Sequence, residues 1–212
     1  MDHGPRKGRI RKKMNSITPI ITYLEIAHSE LNVNLFSGAL KKPVITVQSQ
    51  GKKSCYGWFW SQRWQNTTEQ LDEINFSAEY LKRPIKEIGL TLIHEMVHQY
   101  ANTIGIKDTS RAGRWHNKKF AGLAEKAGLV APKKPDPKHG YAFVSWGDRA
   151  AKAFDSIDST DFLLARNTLA AKKKGTGKML LWQCLCETKI QSGRQDLNIT
   201  CNDCGAIFEL RS

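Results

Sequence analysis

The segment Thr91–Tyr100 reads TLIHEMVHQY and contains the pattern His94-Glu95-x-x-His98. Apolar residues flank the pattern on both sides (Leu92, Ile93, Met96, Val97), so the segment reads as a largely buried helix. In a helix, residues four apart are rotated by only about 40° and separated by about 6 Å along the axis, so both imidazoles can reach one ion. Glu95 points to a neighbouring side of the helix, close enough to take a proton from water at that ion without being a ligand itself. Buried histidines need partners, and a metal supplies one.

Working outward, Pro84 sits where the first turn of this helix is expected, and Gly105 marks its end. Ile85, Ile88, Leu92, Met96 and Tyr100 form one face. Upstream, Thr18-Pro19 starts an amphipathic helix with Ile20, Leu24, Ala27 and Leu31 at helical spacing and Gly38 as its stop. Between the two helices, Val44–Val47, Tyr56–Trp60 and Ile74–Ser77 are short β-branched or aromatic runs that predict a small sheet. Downstream, Asn117 caps a shorter helix carrying Phe120, Leu123, Ala124 and Ala127 and ending at Gly128. Pro132–Gly140 reads as a loop.

A catalytic zinc has three protein ligands and an open position. A third histidine six residues after His98 is absent, because Ile104 stands there. His116, Glu125, Asp108 and His139 remain as candidates, while His3 and His28 have no constellation around them. Tyr100 and Arg114 are candidate donors to an oxyanion, each with a structural role as the simpler reading.

TLIHEMVHQY followed by His116 in RWHNKKF, and then by a short helix ending in AGL, resembles the SprT-like family, which includes the Spartan proteases acting on DNA-protein crosslinks. The resemblance runs from about Ile20 to Ser145, takes in EINFSAEYLKRP, and continues into a cysteine-bearing tail. It implies an α+β, zincin-like metallopeptidase fold, zinc ligands at His94, His98 and His116, and a catalytic glutamate at Glu95. Asn117 departs from the glycine more often expected after the third histidine.

There are five cysteines, and Cys184-x-Cys186 with Cys201-x-x-Cys204 form a cluster near the carboxy terminus. Met179–Gln183 and Ala206–Leu210 flank the two pairs as short strands, giving a zinc ribbon with a closed, structural tetrathiolate site. Cys55, in an aromatic stretch, reads as a buried apolar thiol.

Lysine plus arginine number 33 against 20 acidic residues, a formal net charge of +13 that favours a polyanionic partner, DNA first. Apolar residues at 40% and charged ones at 25% indicate a packed globular chain rather than a disordered one. No apolar run is long enough to span a bilayer and no secretory signal begins the chain, so a cytoplasmic protein without a membrane partner is expected. The predicted organisation is a basic arm over 1–14, a metallopeptidase domain over 15–165, a basic linker over 166–178 and the ribbon over 179–212. Lys172, Lys173, Lys174 and Lys178 in the linker are candidate nucleic-acid contacts. The expected function is a zinc endopeptidase with one catalytic and one structural Zn2+, acting on DNA-associated proteins. The alternatives are a nucleic-acid-binding protein with a structural or weakly active zinc core and a DNA-independent cytosolic peptidase.

Overall fold

The computed structural model describes residues 15–49, 55–157, 162, 164–167 and 179–211. The basic arm and the four linker lysines lie outside them. The chain divides into two compact units, Met1–Asn167 and Thr168–Ser212.

The first unit is mixed α+β with small sheets. Helix α1 (Thr18–Phe36) begins with proline in its first turn and ends at Ser37 in the left-handed conformation. Strands β1 (Val44–Gln48), β2 (Gly57–Gln65) and β3 (Gln70–Ser77) form a sheet of order β1-β3-β2, with β1 parallel and β2 antiparallel to the central β3. Helix α2 (Ile85–Thr103) starts immediately after Pro84. Ile45, Ile74 and Phe76 face the helices, and Leu24, Leu31, Ile88, Leu92, Ile93, Met96 and Val97 complete a core that encloses α2 from Ile88 to Ala101 and leaves its two ends exposed.

That enclosure makes the polar residues of α2 informative. Gln99 is fully buried; its side-chain N–H donates to the Lys41 carbonyl and to Asp72, and its oxygen faces His28 Nε2 at 3.0 Å. His28, read from sequence as isolated, is therefore part of an internal network joining α1, α2 and the sheet.

After α2 come β4 (Thr109–Ser110) and β5 (Trp115–His116), paired antiparallel, then α3 (Lys118–Lys126). Asn117 is the cap of α3, its side chain accepting from the Lys119 and Phe120 N–H groups. Strands β6 (Leu129–Val130) and β7 (Ser145–Trp146) pair, and α4 (Asp148–Asp155) packs on α1. Cys55 is half-buried rather than fully buried, and its carbonyl accepts from the Ser77 hydroxyl.

The second unit holds β8 (Leu180–Gln183), β9 (Lys189–Ser192) and β10 (Glu209–Arg211) in the order β10-β8-β9, all antiparallel. Its core is small: Trp182, Phe208, Cys184 and Cys201, with Leu180, Ile190 and Leu197 against them. So few buried side chains cannot hold a unit of this size alone, which puts weight on cross-linking by a metal. No helix of the described residues is long and apolar enough to cross a membrane.

Candidate metal centres

Helix α2 carries His94 and His98 one turn apart, and β5 brings His116 to them. The Nε2 atoms form a triangle with edges of 3.0 Å (His94 to His116), 3.2 Å (His94 to His98) and 3.0 Å (His98 to His116). Three nitrogens on a tetrahedral ion with bonds of about 2.0–2.1 Å stand about 3.3 Å apart, so the triangle matches a zinc site in size.

Hydrogen bonding alone does not account for the triangle. His98 Nδ1 lies 2.6 Å from Asp108 Oδ2 and donates to it. His116 Nδ1 donates at 3.3 Å to the His139 carbonyl. A neutral imidazole has one N–H, so both rings turn a lone pair at Nε2 toward the same point, and lone pairs about 3 Å apart are stable only around a cation. The residues present fit the ion that their spacing predicts.

Burial favours the neutral form of His94 and His116. Burial pushes His94 well below the ordinary histidine value, with His98 and His116 adding to the effect. Burial, again first, and then His98 lower His116 to about 4, against the hydrogen bond to the His139 carbonyl. Neutral imidazole is the ligating form.

Phe120 is the floor of the cluster. Its ring centroid is 4.8 Å from those of His94 and His98 and 4.6 Å from that of His116. The Asn117 cap sets it there: besides starting α3, Asn117 donates its backbone N–H to the Asp108 carbonyl and its side-chain N–H to the Lys107 carbonyl. The residue that departs from the family pattern thus ties the third histidine to the segment bearing Asp108.

Glu95 is only 5% exposed. Burial raises its carboxyl to about 7, opposed by the charge of His98 and by a hydrogen bond from the Phe59 backbone. Strand β2 passes directly over it: a Cβ on Gly57 would stand 2.8 Å from the Asn75 carbonyl oxygen and 3.5 Å from Glu95 Oε1, so only glycine allows this approach.

The other sequence candidates resolve differently. Asp108, considered as a third ligand, sits behind His98 as its hydrogen-bond acceptor. Glu125 is exposed on α3 and outside the histidine group. The exposed side chain of His139 is not in the group either; its carbonyl is what matters, accepting from both the N–H and Nδ1 of His116. Tyr100 packs against Phe36 with ring centroids 5.6 Å apart, and Arg114 is exposed.

Sequence reading missed the turn Asp136–Gly140 as a support. Asp136 Oδ1 accepts from the Lys138 and His139 N–H groups, and Tyr141 N–H donates to the His116 carbonyl. Gly140 has φ +67°, and a Cβ there would stand 2.1 Å from the His116 carbonyl oxygen. The available signal was the glycine after a Pro-Asp-Pro stretch.

In the second unit, the ligand atoms of Cys184, Cys186, Cys201 and Cys204 lie within 4.8 Å of one another. Cys184 Sγ and Cys186 Sγ are 3.0 Å apart and Cys186 Sγ and Cys201 Sγ 3.6 Å, the second near the ~3.8 Å of thiolates around tetrahedral zinc and the first shorter. Both pairs lie in tight turns, one with Glu187 N–H on the Cys184 carbonyl, the other with Gly205 N–H on the Cys201 carbonyl. Hydrogen bonding from Cys184 and then Thr188 draws the Cys186 thiol down to about 6. The four thiols are compatible with a zinc ribbon.

The SprT-like family matches residues 24–161, most of the chain and all of the histidine site. The chain belongs to this family. As a SprT-like protein it is of the zinc-metallopeptidase kind, and the cysteine unit lies beyond the matched span. No curated protein and no solved structure matches the chain.

Proposed function

We propose that the protein is a zinc-dependent endopeptidase of zincin-like architecture, with DNA-associated proteins as its substrates. The observation that carries this reading is the 3.0–3.2 Å triangle of Nε2 atoms on α2 and β5, with a buried carboxylate on the same helix. His94, His98 and His116 would hold the ion. Bound there, zinc supplies a Lewis acid that makes water more acidic and polarises a carbonyl.

The chain's own residues supply the rest. Glu95 takes one proton from the attacking water as its oxygen bonds to the scissile carbonyl carbon, and gives that proton to the leaving amine as the C–N bond breaks. Asp108 and the His139 carbonyl hold His98 and His116 in the tautomer that presents Nε2. Phe59 N–H orients the Glu95 carboxylate.

Association with DNA rests on weaker support: the formal charge of +13 and the cysteine unit. Glu95→Gln keeps every ligand and removes the base. Hydrolysis of an unfolded protein substrate is expected to fall about 10²- to 10⁴-fold with zinc content unchanged. Full activity in this variant would overturn the reading. Cleavage of a DNA-bound protein no faster than of the same protein free would restrict it to a DNA-independent peptidase.

A further inference from the structure

Strand β2, besides passing over Glu95, presents a row of aromatic rings on its other side. Trp58 pairs with Asn75, Trp60 with Glu73 and Trp64 with Leu71, and Tyr56 accepts from Ser77 N–H at the same ladder's end. Partners in an antiparallel ladder share a face, and Ser77, Asn75, Glu73 and Leu71 are alternate residues of β3. The three tryptophan rings therefore lie on one face, while Tyr56, just before the strand, turns its ring to Tyr80 and to Arg83, which is bonded to Thr91 of α2.

A bulge makes their spacing even. Between Trp60 and Trp64 the register shifts, with Gln62 at φ 51° and its N–H on Asp72 Oδ1 at 3.0 Å. Four residues of β2 thus span two of β3. Trp64 follows Trp60 by one ladder step, as Trp60 follows Trp58, each about 6.6 Å.

The row faces away from the core, because Gly57 and Phe59 take the inner side. Trp60 is 47% exposed and Trp64 44%. Trp60 carries a guanidinium group, that of Arg63, 4.6 Å from its ring centroid.

Neighbouring positions on this face decide what fits the row. Beside Trp58 and Trp60 they are mainly polar, Thr46, Gln48, Glu73 and Asn75, whose one carboxylate, Glu73, accepts from Thr46 and Gln48, with Val44 and Leu71 half-buried toward the Trp64 end. An apolar polypeptide or a second copy of the chain would need an apolar surround to gain from burial. Residues 57–65 contain Arg63 and no acidic residue, in a chain of formal charge +13. Exposed rings at regular intervals, interleaved with arginine, complement a ligand with flat π faces on an anionic backbone.

We propose that Trp58, Trp60 and Trp64 form a stacking platform for single-stranded nucleic acid on the catalytic unit itself. The platform requires neither the cysteine unit nor the lysine-rich stretch, and its binding involves no turnover, so failure of the peptidase reading would leave it standing. Stacking on one ring is worth roughly 5- to 150-fold in affinity.

The test is fluorescence anisotropy of the full chain with a labelled oligo-dT of about 12 nucleotides, a length within the usual single-strand site size, and with a duplex of the same length. The pair Trp60→Ala/Trp64→Ala is expected to weaken single-strand binding at least about 10-fold while duplex binding and the salt slope stay near wild type, because no cation is removed. Trp60→Phe/Trp64→Phe should restore most of the loss, and unchanged zinc content and circular dichroism would show that the fold persists. Wild-type affinity in the alanine pair, or equal losses on single strand and duplex, would overturn the proposal. So would a loss confined to an unfolded polypeptide, which would make the row a protein-binding surface.

Discussion

The histidine cluster draws its ligands from a buried helix and a short strand, offers three nitrogen atoms, and places a buried carboxylate one residue from the first ligand. The cysteine cluster takes four sulfur atoms from two tight turns, and two of them, Cys186 and Cys204, are exposed. Three ligands leave a position for chemistry and four do not. The support differs in the same sense: the histidines are held by Asp108, the His139 carbonyl and Phe120, whereas the cysteines close a unit whose core has four buried residues among those described. A pre-built site survives without its ion, and a site that is itself the core does not.

The largest effect should come from breaking the second half of that contrast. Replacing Cys201 and Cys204 with Ser should cost one zinc of two per chain and melt the cysteine unit, since structural zinc carries the folding of such modules. Mass spectrometry under native conditions and β-strand circular dichroism would check it. Two zinc ions retained by this variant would remove the ribbon.

Next in size is His116→Ala, which should empty the histidine site at micromolar zinc, while Glu125→Ala leaves it intact because Glu125 is exposed and outside the group. The reverse outcome would transfer the ligand assignment to Glu125. Asp108→Asn sharpens the same site: with the acceptor for His98 Nδ1 weakened, zinc affinity by competition with a chromophoric chelator should drop about 10- to 100-fold. An unchanged affinity would make the 2.6 Å contact incidental.

Gly140→Ala should act more modestly, through strain of about 1–3 kcal/mol at a position with φ +67° facing the His116 carbonyl. Stability and zinc affinity should fall together, and the cysteine site should not respond.

The smallest effect concerns His28. Burial lowers its pKa below 6.5, with the Gln99 hydrogen bond opposing and Lys42 reinforcing the shift. Above pH 6.5 neither folded nor unfolded chain protonates it; as pH falls below 6.5 the unfolded chain binds the proton first, so stability is lost down to the folded-state value. The stability advantage of wild type over His28→Gln should therefore shrink between pH 7.5 and 5.5 in urea titrations. An advantage that grows on acidification would contradict the burial argument.

How much of this could be read beforehand varies with the distance over which each feature is encoded. His94, Glu95 and His98 are legible because a single helix fixes their geometry, and α1, α2 and the three strands are legible from period and breakers. His116 needed the family resemblance, since nothing in its spacing selects it over Asp108. Helix α4 was not read because it is short and largely polar, burying only Ala150 and Phe154. The paired fragments β4, β5, β6 and β7 have two residues each, too few for any alternation to register. The outer supports left little signal for a further reason: the His139 and Gly140 contacts are made by backbone atoms, and Gly140 itself is their one residue-level trace.

The account stands or falls on whether the open site alone does the chemistry. Graded treatment of the full chain with a chelator, reading zinc per chain and hydrolysis in the same samples, tests this most directly. The histidine site, open to solvent, should release its ion first, activity should vanish as the count falls from two to one, and added zinc should restore both. Activity that persists at one zinc per chain, or that disappears only when the last ion leaves, would contradict it.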